Sequence, residues 1–158
     1  MERRILFSII LAVVIVLLFV SFSINYLEHF SEMGYRIYLS ISNTLIISDS
    51  DILSYNWTSQ EITLTAESSE RMKKIDDLYN FTGFIIKVDG EEIYHGVFRS
   101  PIMSAVPPPP SICIMFPSYT GNYRIMRMFF PLFQVPSDYP EKNLKILQHF
   151  EKVGKLIY

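Results

Sequence analysis

The chain has 158 residues, of which 49% are hydrophobic and 19% are charged, and its formal net charge at pH 7 is −2. The densest basic stretch is Arg71, Lys73 and Lys74, which is typical of a solvated helix face and excludes the basic surface that nucleic-acid binding requires. The single cysteine, Cys113, excludes an intramolecular disulfide, and its place in the apolar run ICIMF predicts that it is buried.

The first predicted element is a transmembrane signal anchor from Ile5 to Ile24. This run has no charge, and at about 1.5 Å per residue it spans about 30 Å, the hydrocarbon thickness of a bilayer. Arginines precede it and acidic residues follow it, so residues 1–4 are predicted to be cytoplasmic. A cleaved signal peptide is the alternative, because residues 21–23 read Ser-Phe-Ser, the shape of a cleavage site.

Residues 25–35 are predicted to be a connector, and residues 36–158 to be one extracytoplasmic α+β domain, since about 130 residues form one core. Residues 36–42 alternate apolar and polar side chains and predict a half-buried strand. Two carboxylates within Ser48 to Asp51 could ligate a hard cation. The alternative is a turn or helix cap built from the same oxygens.

Residues 61–65 alternate clearly and predict a second strand, after which Thr65 is the expected N-cap of a helix. The apolar stripe of that helix is expected at Met72, Ile75, Leu78 and Tyr79. The dipeptide Asp89-Gly90 joins residues 84–88 to residues 91–98. It predicts a hairpin, because a type I′ turn needs positive φ at both central positions.

A proline run at residues 107–110 follows, in a loop expected to begin near Ser100, and predicts a stiff connector or a polyproline ligand. Residues 111–116 are apolar on both faces and predict a central strand, with another strand at residues 122–130. Its Met126 and Met128 fit a packed core or a ligand pocket. The last predicted helix opens at residues 137–141 and ends at Gly154. Its expected inward side chains are Leu144, Ile146, Leu147, Phe150 and Val153.

The residues that carry chemistry form no recognisable catalytic motif. The histidines, His29, His95 and His149, have no metal-ligand spacing, and the phosphate-binding and nucleophile motifs are missing. No catalytic, metal or cofactor-binding residue is therefore predicted. Asn56 and Asn80 begin glycosylation acceptor triplets.

Residues 45–98 resemble the exported P1 domain of the SecD subunit of the preprotein translocase. The resemblance lies in Ser48 to Ile52, the strand Ile62 to Thr65, a helix carrying Glu67, and Val88-Asp89-Gly90. It implies a βαβ unit with a hairpin, into which the chain leads through Asp51 and Ile52. It also implies a role in handling exported chains. SecD, however, has several membrane helices with charged residues, whereas this chain is predicted to have a single uncharged one.

The sequence thus predicts an N-terminal transmembrane helix followed by one mixed α/β domain, a β-sheet with two packed helices. The expected function is that of a membrane-anchored, non-catalytic interaction or accessory module in the cell membrane. Its expected partners are membrane lipid and other membrane or exported proteins, with no nucleic acid and no cofactor. The alternatives are an exported enzyme that uses His95 with Glu91 or Asp51, and a tethered small-ligand sensor.

Overall fold

The computed structural model falls into two compact units, Met1–Met33 and Gly34–Tyr158. The residues that it describes are 2–31, 33–75, 80–99, 112–115, 123–129 and 137–158. Three expectations therefore lie outside the described residues: the stripe positions Leu78 and Tyr79, the loop from Ser100 and the proline run at residues 107–110.

The first unit contains one long helix, α1, which spans Glu2–Ser31. Between Leu11 and Val20, every large hydrophobic residue of α1 is at least 45% exposed. Helix α1 extends beyond the predicted end at Ile24, because the expected connector continues the helix instead of breaking it.

The expected transmembrane helix from Ile5 to Ile24 is corrected by the structure. Within the part of the chain that is described, no helix is both long and apolar enough to cross a membrane.

The described strands of the second unit form one nine-stranded sheet in the order β2-β1-β5-β6-β7-β8-β4-β3-β9. Their bounds are β1 Tyr35–Leu39, β2 Leu45–Ser48, β3 Ile52–Asn56, β4 Glu61–Leu64, β5 Asn80–Val88, β6 Glu91–Arg99, β7 Ile112–Met115, β8 Ile125–Phe129 and β9 Leu156–Ile157. Neighbouring strands are antiparallel except for two parallel pairs, β6 with β7 and β3 with β9. Strand β7 is central in the sheet, as its apolar sequence predicted.

Two helices and one short 3₁₀ turn complete the second unit: α2 spans Ala66–Met72, α3 spans Tyr139–Lys152, and the turn spans Asp49–Asp51. The predicted βαβ unit is wrong. Strands β4 and β5, which flank α2 in sequence, are separated in the sheet by β6, β7 and β8. Strand β4 instead pairs with β3 and β8, so α2 leads to a distant strand and makes no parallel crossover.

The predicted fold class is wrong as a whole because the sheet is larger and differently connected than expected. Strands β2, β3 and β9 were not predicted as strands. The turn Asp49–Asp51 joins β2 to β3 at a corner of the sheet. Strand β9 has only two residues, too few to show a period.

Two local predictions are confirmed. Asp89 and Gly90 both have positive φ, 50° and 82°, as a type I′ turn between β5 and β6 requires. Thr65 is the N-cap of α2, since its side-chain oxygen accepts a hydrogen bond from the backbone N–H of Ser68 at 3.2 Å.

Helix α3 packs on the sheet through an aromatic cluster. The ring of Phe150 lies 5.0 Å from that of Tyr35 and 4.8 Å from that of Tyr55, measured between ring centroids. Ile146 is also buried, as predicted, but Leu144 and Val153 are exposed. Asn143 and His149 are buried in their place, so the inward face of α3 includes two polar side chains.

Candidate functional site

Polar side chains from distant parts of the chain meet at the corner of the sheet between β2 and β3. We call Asp49, Asp51, Arg71, His149 and Lys155 the corner cluster. The 3₁₀ turn projects the two aspartates, α2 carries Arg71, and His149 and Lys155 come from the end of α3 and the residues after it. Hydrogen bonds and ion pairs from these side chains connect the turn to α2, to α3 and to the residues that follow α3.

The Asp51 carboxylate holds the turn to the start of α2. One oxygen accepts hydrogen bonds from the Ser68 hydroxyl at 2.7 Å and pairs with the Arg71 guanidinium at 2.8 Å. The other oxygen accepts from the backbone N–H of Ser48 at 2.8 Å and from its hydroxyl at 3.0 Å. Both carboxylate oxygens of Asp51 therefore form contacts that stabilise the fold.

These contacts also set the protonation of Asp51. Partial burial acts to raise the pKa of its carboxyl, but hydrogen bonds from Arg71, Ser68 and Ser48 outweigh burial and hold the pKa below the ordinary value of 3.8. Asp51 is thus an ionised structural anchor near neutral pH, unsuited to the role of general base.

Asp49 holds α3 to the same corner. Its carboxylate oxygens lie 2.8 Å and 3.0 Å from Nε2 of His149, and one of them accepts a hydrogen bond from the backbone N–H of Tyr35 at 3.2 Å. The His149 side chain is only 4% exposed. The pair therefore joins the turn, β1 and α3 through one buried contact.

Two cationic side chains satisfy backbone carbonyls near the two edges of the sheet. Lys155 donates from Nζ to the carbonyl oxygens of Asp49 and Ile52, the latter at 2.7 Å, beside edge strand β9. Arg71 donates to the carbonyl oxygen of Ile46 on edge strand β2 at 3.1 Å. Occupied carbonyls and charged neighbours disfavour the addition of another strand at these edges.

A cleft of about 290 Å³ opens beside the corner cluster, between the β5–β6 turn and α3. Asp89 and Glu91 line one wall, and Lys145, His149 and Lys152 line the other. Nδ1 of His149 is buried and has no hydrogen-bond partner among the described residues. An unpartnered buried polar atom costs free energy on the order of 1–3 kcal/mol, so the position of this nitrogen needs an explanation.

The structure separates the two aspartates that sequence reading grouped as possible cation ligands. The carboxylate of Asp51 turns towards α2, whereas that of Asp49 turns towards α3. Within the described ranges no group of three or more His, Cys, Asp or Glu side chains is placed to hold a metal ion. The arrangement favours the alternative interpretation, a turn stabilised by side-chain oxygens.

The residues of the enzyme hypothesis do not come together. His95 is 63% exposed and pairs with Glu92 on the same strand. Tyr94, its neighbour in sequence, is buried on the opposite face of β6. Glu91 pairs with Lys145, and Asp51 is bound to Arg71, so neither carboxylate is available to His95.

The remaining predicted positions have structural surroundings. Met126 and Met128 pack in the hydrophobic core, where the hydroxyl of Tyr35 lies 3.5 Å from the sulfur of Met128, and they line no cleft described here. The Asn56 side-chain oxygen accepts a hydrogen bond from the backbone N–H of Ser59 at 2.8 Å. Asn80 begins β5, while the side chains of Asn80 and Ile5 lie outside the description.

Sequence reading missed the pair His149 and Asp49, which is the most buried ionisable contact at the site. The two residues are 100 positions apart, and no local spacing links them. The available signal was the helical face of α3, where a polar His149 beside Phe150 interrupts the apolar stripe. Such an interruption marks a buried histidine but does not name its partner.

Comparison with protein-family models, with curated proteins and with solved structures finds no match to this chain.

Proposed function

We propose that this chain is a non-catalytic interaction module that is attached to a membrane surface through α1. One observation carries the proposal: α1 presents large apolar side chains to solvent along its whole described apolar run. The extracytoplasmic location and the part in handling exported chains that the SecD resemblance implies stay predictions.

The exposed apolar side chains of α1 are expected to be covered by another molecule. Leu17, Leu18 and Phe19 are consecutive in sequence, so they point to different sides of the helix, and they are 60%, 66% and 72% exposed. A helix that is apolar all round is stable only inside a large core or in lipid. Aqueous exposure of such a surface is a strong liability to association. Attachment to a membrane surface would bring these side chains into contact with lipid instead of water.

The chemistry of the second unit supports an interaction role over catalysis. Three of its ionisable side chains hold elements together: Asp51 binds α2, Asp49 binds α3, and Lys155 binds backbone carbonyls. Burial, with added repulsion from Tyr55 and Asp49, raises the pKa of Tyr35 well above its ordinary value, so this phenol stays protonated and unsuited to proton transfer.

Vesicle flotation of the full chain tests the attachment. We expect wild type to float with vesicles of zwitterionic lipid. A variant with Val14→Gln, Leu18→Gln and Phe22→Gln in α1 should remain at the bottom of the gradient, because the substitutions make the apolar surface polar. The matched control carries Ile41→Gln, Leu53→Gln and Leu144→Gln, which alter exposed apolar residues of the second unit.

The control variant should float as wild type does. Membrane attachment through α1 would be contradicted if wild type stayed at the bottom of the gradient when vesicles are present. Flotation of the α1 variant to the same extent as wild type would contradict it as well. Circular dichroism of each variant verifies that the second unit remains folded.

A further inference from the structure

We propose that the cleft between the β5–β6 turn and α3 binds a small zwitterion of the α-amino-acid class. The walls of the cleft carry opposite charges. Asp89 and Glu91 stand on the turn side, and Lys145 and Lys152 stand on the helix side. A ligand with a carboxylate and an ammonium group a few bonds apart matches this division.

The spacing on α3 places the three nitrogen-bearing side chains on one face. Lys145, His149 and Lys152 are related as i, i+4 and i+7, the spacing of neighbours along a helix. Lys145 is neutralised across the cleft by Glu91. Lys152 has no ion-pair partner among the described residues, so it is the cation available to a ligand carboxylate.

The turn supplies the complementary anion. One oxygen of Asp89 accepts a hydrogen bond from the backbone N–H of Gly34 at 2.8 Å, which fixes the carboxylate in place. Asp89 forms no ion pair with any described residue, so its second oxygen remains for a ligand ammonium. The pair Lys145–Glu91 closes the cleft beside these two groups.

His149 gives the cleft a polar inner surface. Its Nε2 is held by Asp49, and its buried Nδ1 lacks a partner within the described part of the chain. The ring of His149 lines the cleft between Lys145 and Lys152, and Asp49 fixes its orientation through Nε2.

The size and net charge of the cleft favour a zwitterion over a simple ion. About 290 Å³ lies just below the range of about 300–1,000 Å³ that is usual for organic ligands, which suits a small polar molecule. The two lysines and the two carboxylates cancel in formal charge, so a lone anion or a lone cation would face one attractive wall and one repulsive wall. In a zwitterion, the carboxylate would face the lysine wall and the ammonium group would face the carboxylate wall.

Nuclear magnetic resonance of the detergent-solubilised full chain tests this with three probes: glycine, acetate and methylammonium. We expect glycine to shift the imidazole nitrogen resonances of His149 saturably. Acetate and methylammonium should need at least about tenfold higher concentrations, since each loses one hydrogen bond to a charged group. The same factor of about ten is expected for the glycine affinity of Lys152→Met and of Asp89→Asn.

Both variants preserve the fold by design, because Lys152 is exposed and Asn tolerates the positive φ of position 89. Lys142→Met is the matched control on the same helix; its lysine pairs with Asp138, and the variant should bind glycine as wild type does. Equal affinity for glycine and acetate, no saturable shift, or unchanged binding by both cleft variants would overturn the assignment. Flotation with vesicles is measured separately, so either proposal can fail alone.

Discussion

At the scale of single residues, the corner cluster shows how one short segment organises three elements. Asp51 secures α2, and Asp49 secures α3 through a histidine that is 100 residues away. The two carboxylates are separated by one residue, Ser50, but bind different helices. The pattern Ser-Asp-Ser-Asp predicts side-chain oxygens in a turn, yet the partners of those oxygens are distant in sequence and cannot be read from it.

The protonation of Asp51 gives a prediction about acid stability. The folded-state pKa of Asp51 lies below its ordinary value, so the ionised carboxylate stabilises the fold above pH 3.8, and this stabilisation is lost as the pH falls through the folded pKa. Asp51→Asn should lower the free energy of unfolding at pH 7 by about 1–3 kcal/mol, the cost of disturbing a partly buried carboxylate that accepts several hydrogen bonds. Urea denaturation at a series of pH values measures the difference.

The difference between wild type and Asp51→Asn should narrow as the pH falls from 3.8 through the lower folded-state pKa, because the carboxyl of the folded wild type is then protonated. Asp138→Asn is the control, because its carboxylate is exposed and pairs with Lys142 on one helix, and its effect should be smaller. A difference that stays constant from pH 7 to pH 2 would contradict the role of the charge.

At the scale of elements, local chemistry was predictable and long-range pairing was not. The hairpin at Asp89-Gly90 and the cap at Thr65 each depend on a few adjacent residues, and both form as predicted. Strand β9 and the parallel pairing of β6 with β7 depend on contacts between residues far apart in the chain. The order of the strands depends on such long-range contacts, and this is why the βαβ prediction failed.

The parallel pairing of β6 with β7 depends on one glycine. A Cβ added to Gly96 would overlap the backbone oxygen of Ile112 and the ring of Phe84. Gly96→Ala should therefore lower the free energy of unfolding by about 1–3 kcal/mol, as overpacking does elsewhere. Chemical denaturation of the purified variant measures this loss.

Gly83→Ala is the control on the paired strand β5, where the nearest atom to an added Cβ is the hydroxyl of Ser40 at 2.9 Å, which can move. It should cost less than Gly96→Ala. If the two variants lose equal stability, close approach at Gly96 does not limit the pairing.

At the scale of the whole molecule, the chain combines an apolar helix with a polar, self-contained sheet unit. The second unit has its own core, which includes the buried aromatic residues Tyr35, Tyr55 and Phe150. Cationic side chains near both sheet edges work against strand addition, so its contacts with partners are expected on its faces and loops. Composition predicted the division into two parts, since the uncharged run stands out in the sequence, but it did not reveal the shape of the second part.

The central claim is that lipid covers the apolar side chains of α1, and a fluorescent label at position 16 tests it most directly. Val16→Cys can be labelled selectively, because Cys113 is fully buried and burial raises the pKa of its thiol, which keeps it unreactive. A label at Ile41→Cys, where the native side chain is 95% exposed, serves as the control.

In the presence of vesicles, the account predicts that lipids carrying a quencher on the acyl chain quench the label at position 16, whereas aqueous iodide does not. Iodide should quench the label at position 41. Strong iodide quenching at position 16, with none from the acyl-chain quencher, would contradict the claim that α1 lies in lipid.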